Sequence, residues 1–284
     1  MSLGKILVPL DGSDQDDVSL VTAIRAAKPF HAHVVAFFAH PDPAEAMPII
    51  GVPLNAEAMS AVIDGNTRIF RAKAKRIHDA MARVGASESA RLVDAPYRQN
   101  VVTLSYREAI GYPPHLVSSA AALADLVVCA PADKAPQLFE TSIDLILQQR
   151  RPILLASSPP AAFRKVVIGW DGSAAATRAL SAAMPLLEKA DIVELICVEQ
   201  AIGQSFDTEP AIAYLKAHGI SPSEVHLGRW DALPHDALTK LAVEHNADLL
   251  VIGAFGHSRI RETFFGGVTN ETLCRPPLPV FLAH

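Results

Sequence analysis

The sequence predicts an α/β fold of two tandem domains, each a five-stranded parallel sheet with helices on both faces. Three observations predict it. The chain repeats itself: Lys5–Ser13 reads KILVPLDGS and Lys165–Ser173 reads KVVIGWDGS. A second pair follows in the same order, ADLVV at Ala124–Val128 and ADLLV at Ala247–Val251. Each half closes on a Pro-led apolar run, Pro152–Ala156 (PILLA) and Pro279–Ala283 (PVFLA). Three ordered pairs mark a duplication. Short apolar runs alternate with helical spacing, the pattern of strands joined by right-handed helical crossovers. The domains span 1–158 and 163–284, divided at Ser157-Ser158-Pro159-Pro160, a strand-ending linker composition.

The second half reads cleanly. Lys165–Trp170 is a continuous apolar run, the signature of a strand buried on both faces. Asp171-Gly172 turns the chain, and Ser173 is placed to N-cap a helix to about Glu188. Ile192–Val198 is the second strand, and Pro210–His218 a short helix stopped by Gly219. Glu224–Gly228 is the third strand. Pro234–Asn246 is an amphipathic helix with Leu238, Leu241, Ala242 and His245 on one face. Leu249–Ile252 is the fourth strand; a helix starts near Val268, and Val280–Ala283 closes the sheet.

The first half keeps this order with additions. Ile6–Pro9 is a strand and Ser13–Lys28 its helix. His33–Ala39 is the second strand, with His31 and His33 on one strand face. Pro41–Asn66 is a Pro- and Ala-rich insertion, and Thr67–Val84 a long helix. Glu88–Glu108 contains extended segments of unassigned boundary. Tyr112–Leu123 is helical and Leu126–Ala130 is the fourth strand. The closing runs Ile153–Ala156 and Val280–Leu282 are expected at sheet edges, which need covering.

Composition narrows the function. The chain has 284 residues, half of them apolar, with 19% charged and 6% aromatic. Such a chain buries enough apolar surface to fold, around aliphatic layers. A net charge of −5 and a pI of about 6.1 lack the basic footprint of a nucleic-acid binder or a polybasic membrane anchor. No apolar stretch reaches the ~18 residues of a membrane span, and the N-terminus lacks the form of a signal peptide. Cys129, Cys197 and Cys274, without a CxxC, read as buried thiols of a reducing compartment, hence a cytoplasmic protein.

The segment richest in chemistry is Gly253–Asn270, GAFGHSRIRETFFGGVTN. It leaves a buried strand and enters a helix. Glycines there let backbone N–H groups approach an anion, and a helix start favours negative charge. Thr269 adds a hydroxyl, Arg259 and Arg261 add positive charge, and His257 lies beside Gly256. The segment is a phosphate cradle, or its glycines merely make turns. Asp171 lies on the same rim, where ligands of parallel sheets bind. It accepts hydrogen bonds from a ribose or adenine edge, or caps its own turn. Walker, dinucleotide-fingerprint, HEXXH and Gly-x-Ser-x-Gly motifs are absent.

With these residues the chain resembles the universal stress protein (UspA-like) family in its tandem form, over almost its whole length. The resemblance rests on the strand–Asp-Gly-Ser opening, the ADLLVIG strand, the Gly-x2-Gly-x9-Gly loop and the closing strand. It implies an adenine-nucleotide alpha-hydrolase-like fold, with ATP or a related adenine nucleotide as ligand, together with Mg2+. The implied binding residues are Asp171, Val198 (through its backbone), Gly253, Gly256, Gly266 and Gly267; the loop itself adds Val268, Thr269 and His257, which touches a phosphate or is simply solvated. Gly267 departs from the family's Ser/Thr, leaving its N–H and the hydroxyl of Thr269. Gly169 and Trp170 also alter the base pocket.

The first half keeps Asp11 and Ser13, but its loop reads Cys129-Ala130-Pro131-Ala132-Asp133-Lys134-Ala135-Pro136, without glycine and about four residues shorter. Proline lacks the N–H donor a cradle needs, and Asp133 repels phosphate. The first half is therefore expected not to bind ATP in the family's manner. The expected protein is a nucleotide-binding regulator with no catalytic residue assigned and at most slow hydrolysis. It forms a pseudo-dimer of its halves, and chains can pair further as a homodimer. The alternatives are a scaffold that works by assembly alone, or a slow ATPase.

Overall fold

The computed structural model describes residues 2–46, 55–95, 100–136, 138, 141, 145, 148–198, 207–227, 234–254 and 275–284. In chain order the elements of the first half are β1 (Lys5–Leu10), α1 (Gln15–Ala27), β2 (His33–His40), α2 (Ala56–Glu88), β3 (Arg91–Leu92), β4 (Thr103–Ile110), α3 (Pro113–Ala121), β5 (Leu126–Cys129) and β6 (Ile153–Leu155). The second half contributes β7 (Lys165–Trp170), α4 (Ala174–Leu187), β8 (Ile192–Val198), α5 (Glu209–Ala217), β9 (Ser223–Leu227), α6 (Pro234–Glu244), β10 (Leu249–Gly253) and β11 (Val280–Ala283). Between β5 and β6, residues Pro136, Leu138, Thr141 and Leu145 are helical.

The strands form one sheet in the order β3-β4-β2-β1-β5-β6-β11-β10-β7-β8-β9. The β6–β11 pair is antiparallel, with Phe281 opposite Leu154; the other pairs are parallel. The closing strands, each the edge of its own half, cover one another and so lie at the centre of the sheet. One expectation changes here. The first half has six strands rather than five, because it adds the short strand β3 beyond β4, and the two sheets join through β6–β11 into one of eleven strands.

Strand residues alternate between two cores, as period-2 geometry requires. On one face Ile6, Val8, Val166 and Ile168 pack with Leu20 of α1, Ile77 of α2, Leu180 of α4 and Leu215 of α5. On the other, Leu7 and Val167 pack with Val117 of α3 and Leu241 of α6. Both faces of the sheet are thus buried, which is why its strands read as continuous apolar runs.

Each repeated motif has a structural job. In both Asp-Gly-Ser turns the aspartate accepts the serine N–H, at 3.0 Å for Asp11 and 2.9 Å for Asp171. The glycines take left-handed backbone, φ +79° at Gly12 and +69° at Gly172, which a side chain resists. The aspartate of each ADL motif tethers the start of the first strand. Asp125 accepts from the N–H groups of Gly4 (2.7 Å) and Lys5 (2.9 Å). Asp248 does the same for Arg164 (2.9 Å) and Lys165 (2.8 Å).

Helix α2 starts eleven residues before the predicted Thr67 and takes in part of the 41–66 insertion. Asn55, in extended backbone, caps it by accepting the Ala58 N–H at 2.8 Å. The run Ala56-Glu57-Ala58-Met59 then favours helix. Residues 47–54 of the insertion lie outside the described residues. His31 is not on the strand. It turns the chain at φ 51° before β2, while His33 is buried between the hydroxyls of Thr103 (2.7 Å) and Ser105 (2.9 Å). His245 lies past the end of α6 and meets Glu194 at 2.6 Å. The helix expected near Val268 lies outside the described residues, and no helix among them is long and apolar enough to cross a membrane.

Replacing Asp248 with alanine leaves two backbone donors at the head of β7 without their acceptor. The expected loss is about 1–3 kcal/mol of stability, read as a lower urea midpoint with an unchanged m-value.

Candidate functional site

The carboxyl ends of β10, β7 and β8 are neighbours in the sheet, so three predicted residues meet on one rim. Gly253 ends β10, Asp171 follows β7 and Val198 ends β8, where its backbone pairs with Leu227. Gly256, His257, Gly266, Gly267, Val268 and Thr269, with Arg259 and Arg261, lie outside the described residues.

The local geometry at this rim is built by the start of α4. Ser173 is extended and its hydroxyl accepts the Ala176 N–H at 3.1 Å, the expected cap. A Cβ on Gly253 would stand 2.4 Å from the Ala176 nitrogen and 2.5 Å from the Ala175 carbonyl carbon. The glycine therefore admits the first turn of α4 against the end of β10 and holds that helix N-terminus between β10 and β7. Gly169 inside β7 meets only side chains: a Cβ there would stand 2.8 Å from Cδ1 of Leu238 of α6.

Beyond Asp171 the rim continues onto β8 and β9. Trp170 is buried and its indole N–H donates to the Asp207 carbonyl at 3.0 Å. Cys197 pairs with Trp170 across the strands. Burial, then the Glu224 and Asp171 carboxylates, push its thiol up to about 12, so it stays protonated and unreactive. Cys129 is likewise buried; Cys274 lies outside the described residues. A cavity of about 500 Å³ opens between α4 and α5, beside Trp170, Gly172 and Tyr214.

The equivalent turn of the first half is built differently, and the sequence reading missed the residue responsible. Asp16 occupies the helix position that Ala176 holds in the second half. Its buried carboxylate accepts the N–H groups of Gly12 (2.9 Å) and Asp11 (3.3 Å). A side-chain anion thus takes up backbone donors at the head of α1. Ser13 does not cap: its hydroxyl is buried without a partner among the described residues. Asp133, named above as repelling phosphate, pairs with Arg275 at 3.2 Å. The available signal was the acid itself, in a helix turn where the other copy has alanine.

Burial, reinforced by Asp11, pushes the Asp16 carboxyl up to about 7 from 3.8. A raised acid pKa makes the folded state hold its proton longer than the unfolded one. Its contribution is fully present below about pH 4 and lost as pH rises to about 7. Asp16→Asn is expected to flatten this fall and to gain on the order of 2 kcal/mol at neutral pH, measured by urea denaturation at several pH values.

One family model matches part of the chain, and solved structures share its fold. Residues 162–284 match the family model of the Universal stress protein family. Across the whole molecule the fold resembles a universal stress protein from Archaeoglobus fulgidus, at 16% identity and TM-score 0.65, over 99% of this chain and 96% of that one. It also resembles the functionally unknown protein PA1789 from Pseudomonas aeruginosa, at 13% identity and TM-score 0.56, over 99% and 92%. A universal stress protein solved in complex with cAMP aligns over 43% of this chain and 97% of its own, at 24% identity and TM-score 0.32. No curated protein sequence matches the chain. What the chain shows of a family, then, is a match to the universal stress protein family over residues 162–284.

Proposed function

We propose that the protein is a tandem universal stress protein whose second domain, 163–284, binds ATP or a related adenine nucleotide, while the first, 1–158, serves a structural or regulatory role. The observation that carries the reading is the rim where Asp171, Val198 and Gly253 end adjacent strands beside the N-terminus of α4. In parallel sheets this crevice outside the strand ends is the place for ligands. The helix start favours the phosphates, and the Asp171 carboxylate is suited to ribose hydroxyls. The sequence from Gly256 to Thr269 would supply the rest of the cradle. Mg2+ would enter with the phosphates.

The first domain lacks this equipment. Ala130 stands where Gly253 does, and the Asp16 carboxylate already holds donors of the equivalent turn. The β6–β11 pair joins the two domains as a pseudo-dimer within one chain. A homodimer of chains would use another surface, for which β3 and β9 are the sheet's edges among the described residues.

Titration of the purified protein with ATP tests the nucleotide reading. Saturable binding is expected, weakened at least about tenfold by Asp171→Ala and by Gly256→Val, with folding intact by circular dichroism. Absence of binding, or binding unchanged in both variants, overturns it.

A further inference from the structure

The first half contains a cavity of about 390 Å³ at the carboxyl ends of β1 and β2, closed on one side by α2 and bordered by Tyr112 ahead of α3. It is large enough for a small metabolite. Its lining combines an aromatic wall with two opposite charges. The His40 ring stacks on Phe70 (centroids 4.4 Å apart, planes at 26°) and meets Phe38 at 5.0 Å. His40 is held in place by the Pro41 carbonyl (2.8 Å) and the Glu108 carboxylate (3.0 Å). A flat ring entering the cavity has a preorganised surface to lie against.

The charges are Asp11 and Lys73, which both line the cavity. The stem of Lys73 is pressed on the β1–α1 turn: a Cβ on Gly12 would stand 2.8 Å from its own Cβ. Lys73 is therefore rooted one residue from Asp11. Even so, Lys73 is half-buried and, among the described residues, makes no ion pair with Asp11 or with another carboxylate. An ammonium and a carboxylate kept apart in one cavity complement a ligand that carries both charges itself. Its carboxylate would meet Lys73 and its ammonium Asp11, each as a charge-assisted hydrogen bond.

We propose that this cavity binds an aromatic α-amino acid, its zwitterionic head set between Asp11 and Lys73 and its ring against Phe38, His40 and Phe70. The site is separate from the nucleotide rim of the second half and stands or falls without it.

Calorimetric titration of the full chain with L-phenylalanine tests the proposal. 3-Phenylpropionate, which lacks the ammonium, and phenethylamine, which lacks the carboxylate, serve as comparators. L-Phenylalanine is expected to saturate, with both comparators weaker by at least about tenfold. Lys73→Met should weaken L-phenylalanine and 3-phenylpropionate but leave phenethylamine unchanged; Asp11→Asn should do the converse. Excess ATP should displace none of them. Failure to saturate at millimolar L-phenylalanine, equal affinity for the three probes, or displacement by ATP overturns the proposal. So does unchanged affinity in variants that melt like the parent. If a variant fails to fold, the ranking of the three probes on the parent protein still decides.

Discussion

The molecule depends on one backbone contact, the antiparallel pairing of β6 with β11. Each is the last strand of its half, and without the pair each would expose a row of unsatisfied N–H and C=O groups at a sheet edge. Pairing them satisfies both at once and gives the eleven strands a common sheet. The apolar layers of the two halves then run on across the join: Leu154 and Phe281, opposite one another in the pair, lie in the same core. Helices α1, α2, α4 and α5 cover that side, and α3 and α6 cover the other. The linker is fixed as well, since Arg25 donates to the carbonyls of Pro159 (3.0 Å) and Pro160 (2.8 Å) while paired with Glu88.

Against this common frame the two halves share their tethers and differ in their rims. Asp125 and Asp248 do the same work at the head of β1 and β7. Gly12 and Gly172 make the same left-handed turn. The difference begins at the next helix turn. In the second half Ser173 caps α4, and Gly253 lets the helix start approach β10. In the first, Asp16 supplies its own negative charge to the turn. That charge is poorly solvated, and burial leaves it near its titration point at neutral pH.

Much of this was legible in the sequence. Strands β7, β8 and β11 carry the predicted bounds, because a run buried on both faces is mostly apolar, Glu194 of β8 being an exception, and ends at turn residues. Strand β4 was not, because it lies next to the sheet's edge strand and carries Tyr106, Arg107 and Glu108 in its second half, which breaks the apolar run. Helix α2 was placed too late because its cap, Asn55, lies inside an insertion rich in proline and lacks a periodic lead-in. At the site, Asp171 and Gly253 were found by motif and do reach the same rim. What spacing cannot reveal is the neighbour that a glycine makes room for; at Gly253 it includes the backbone of α4. Asp16 was invisible for a related reason: an acid in a first helical turn reads as an ordinary partner of the helix dipole.

The grip on the linker and the β6–β11 pair together make the covalent join between the halves redundant in the folded state. A single cut between residues 157 and 162 would leave β6 in register with β11 and Arg25 on the fragment that carries Glu88. The halves would remain one particle under native conditions and separate only in denaturant. Continuity of the chain acts chiefly before that, by keeping the two closing strands at high local concentration so that each meets its partner in the same molecule rather than in a neighbour.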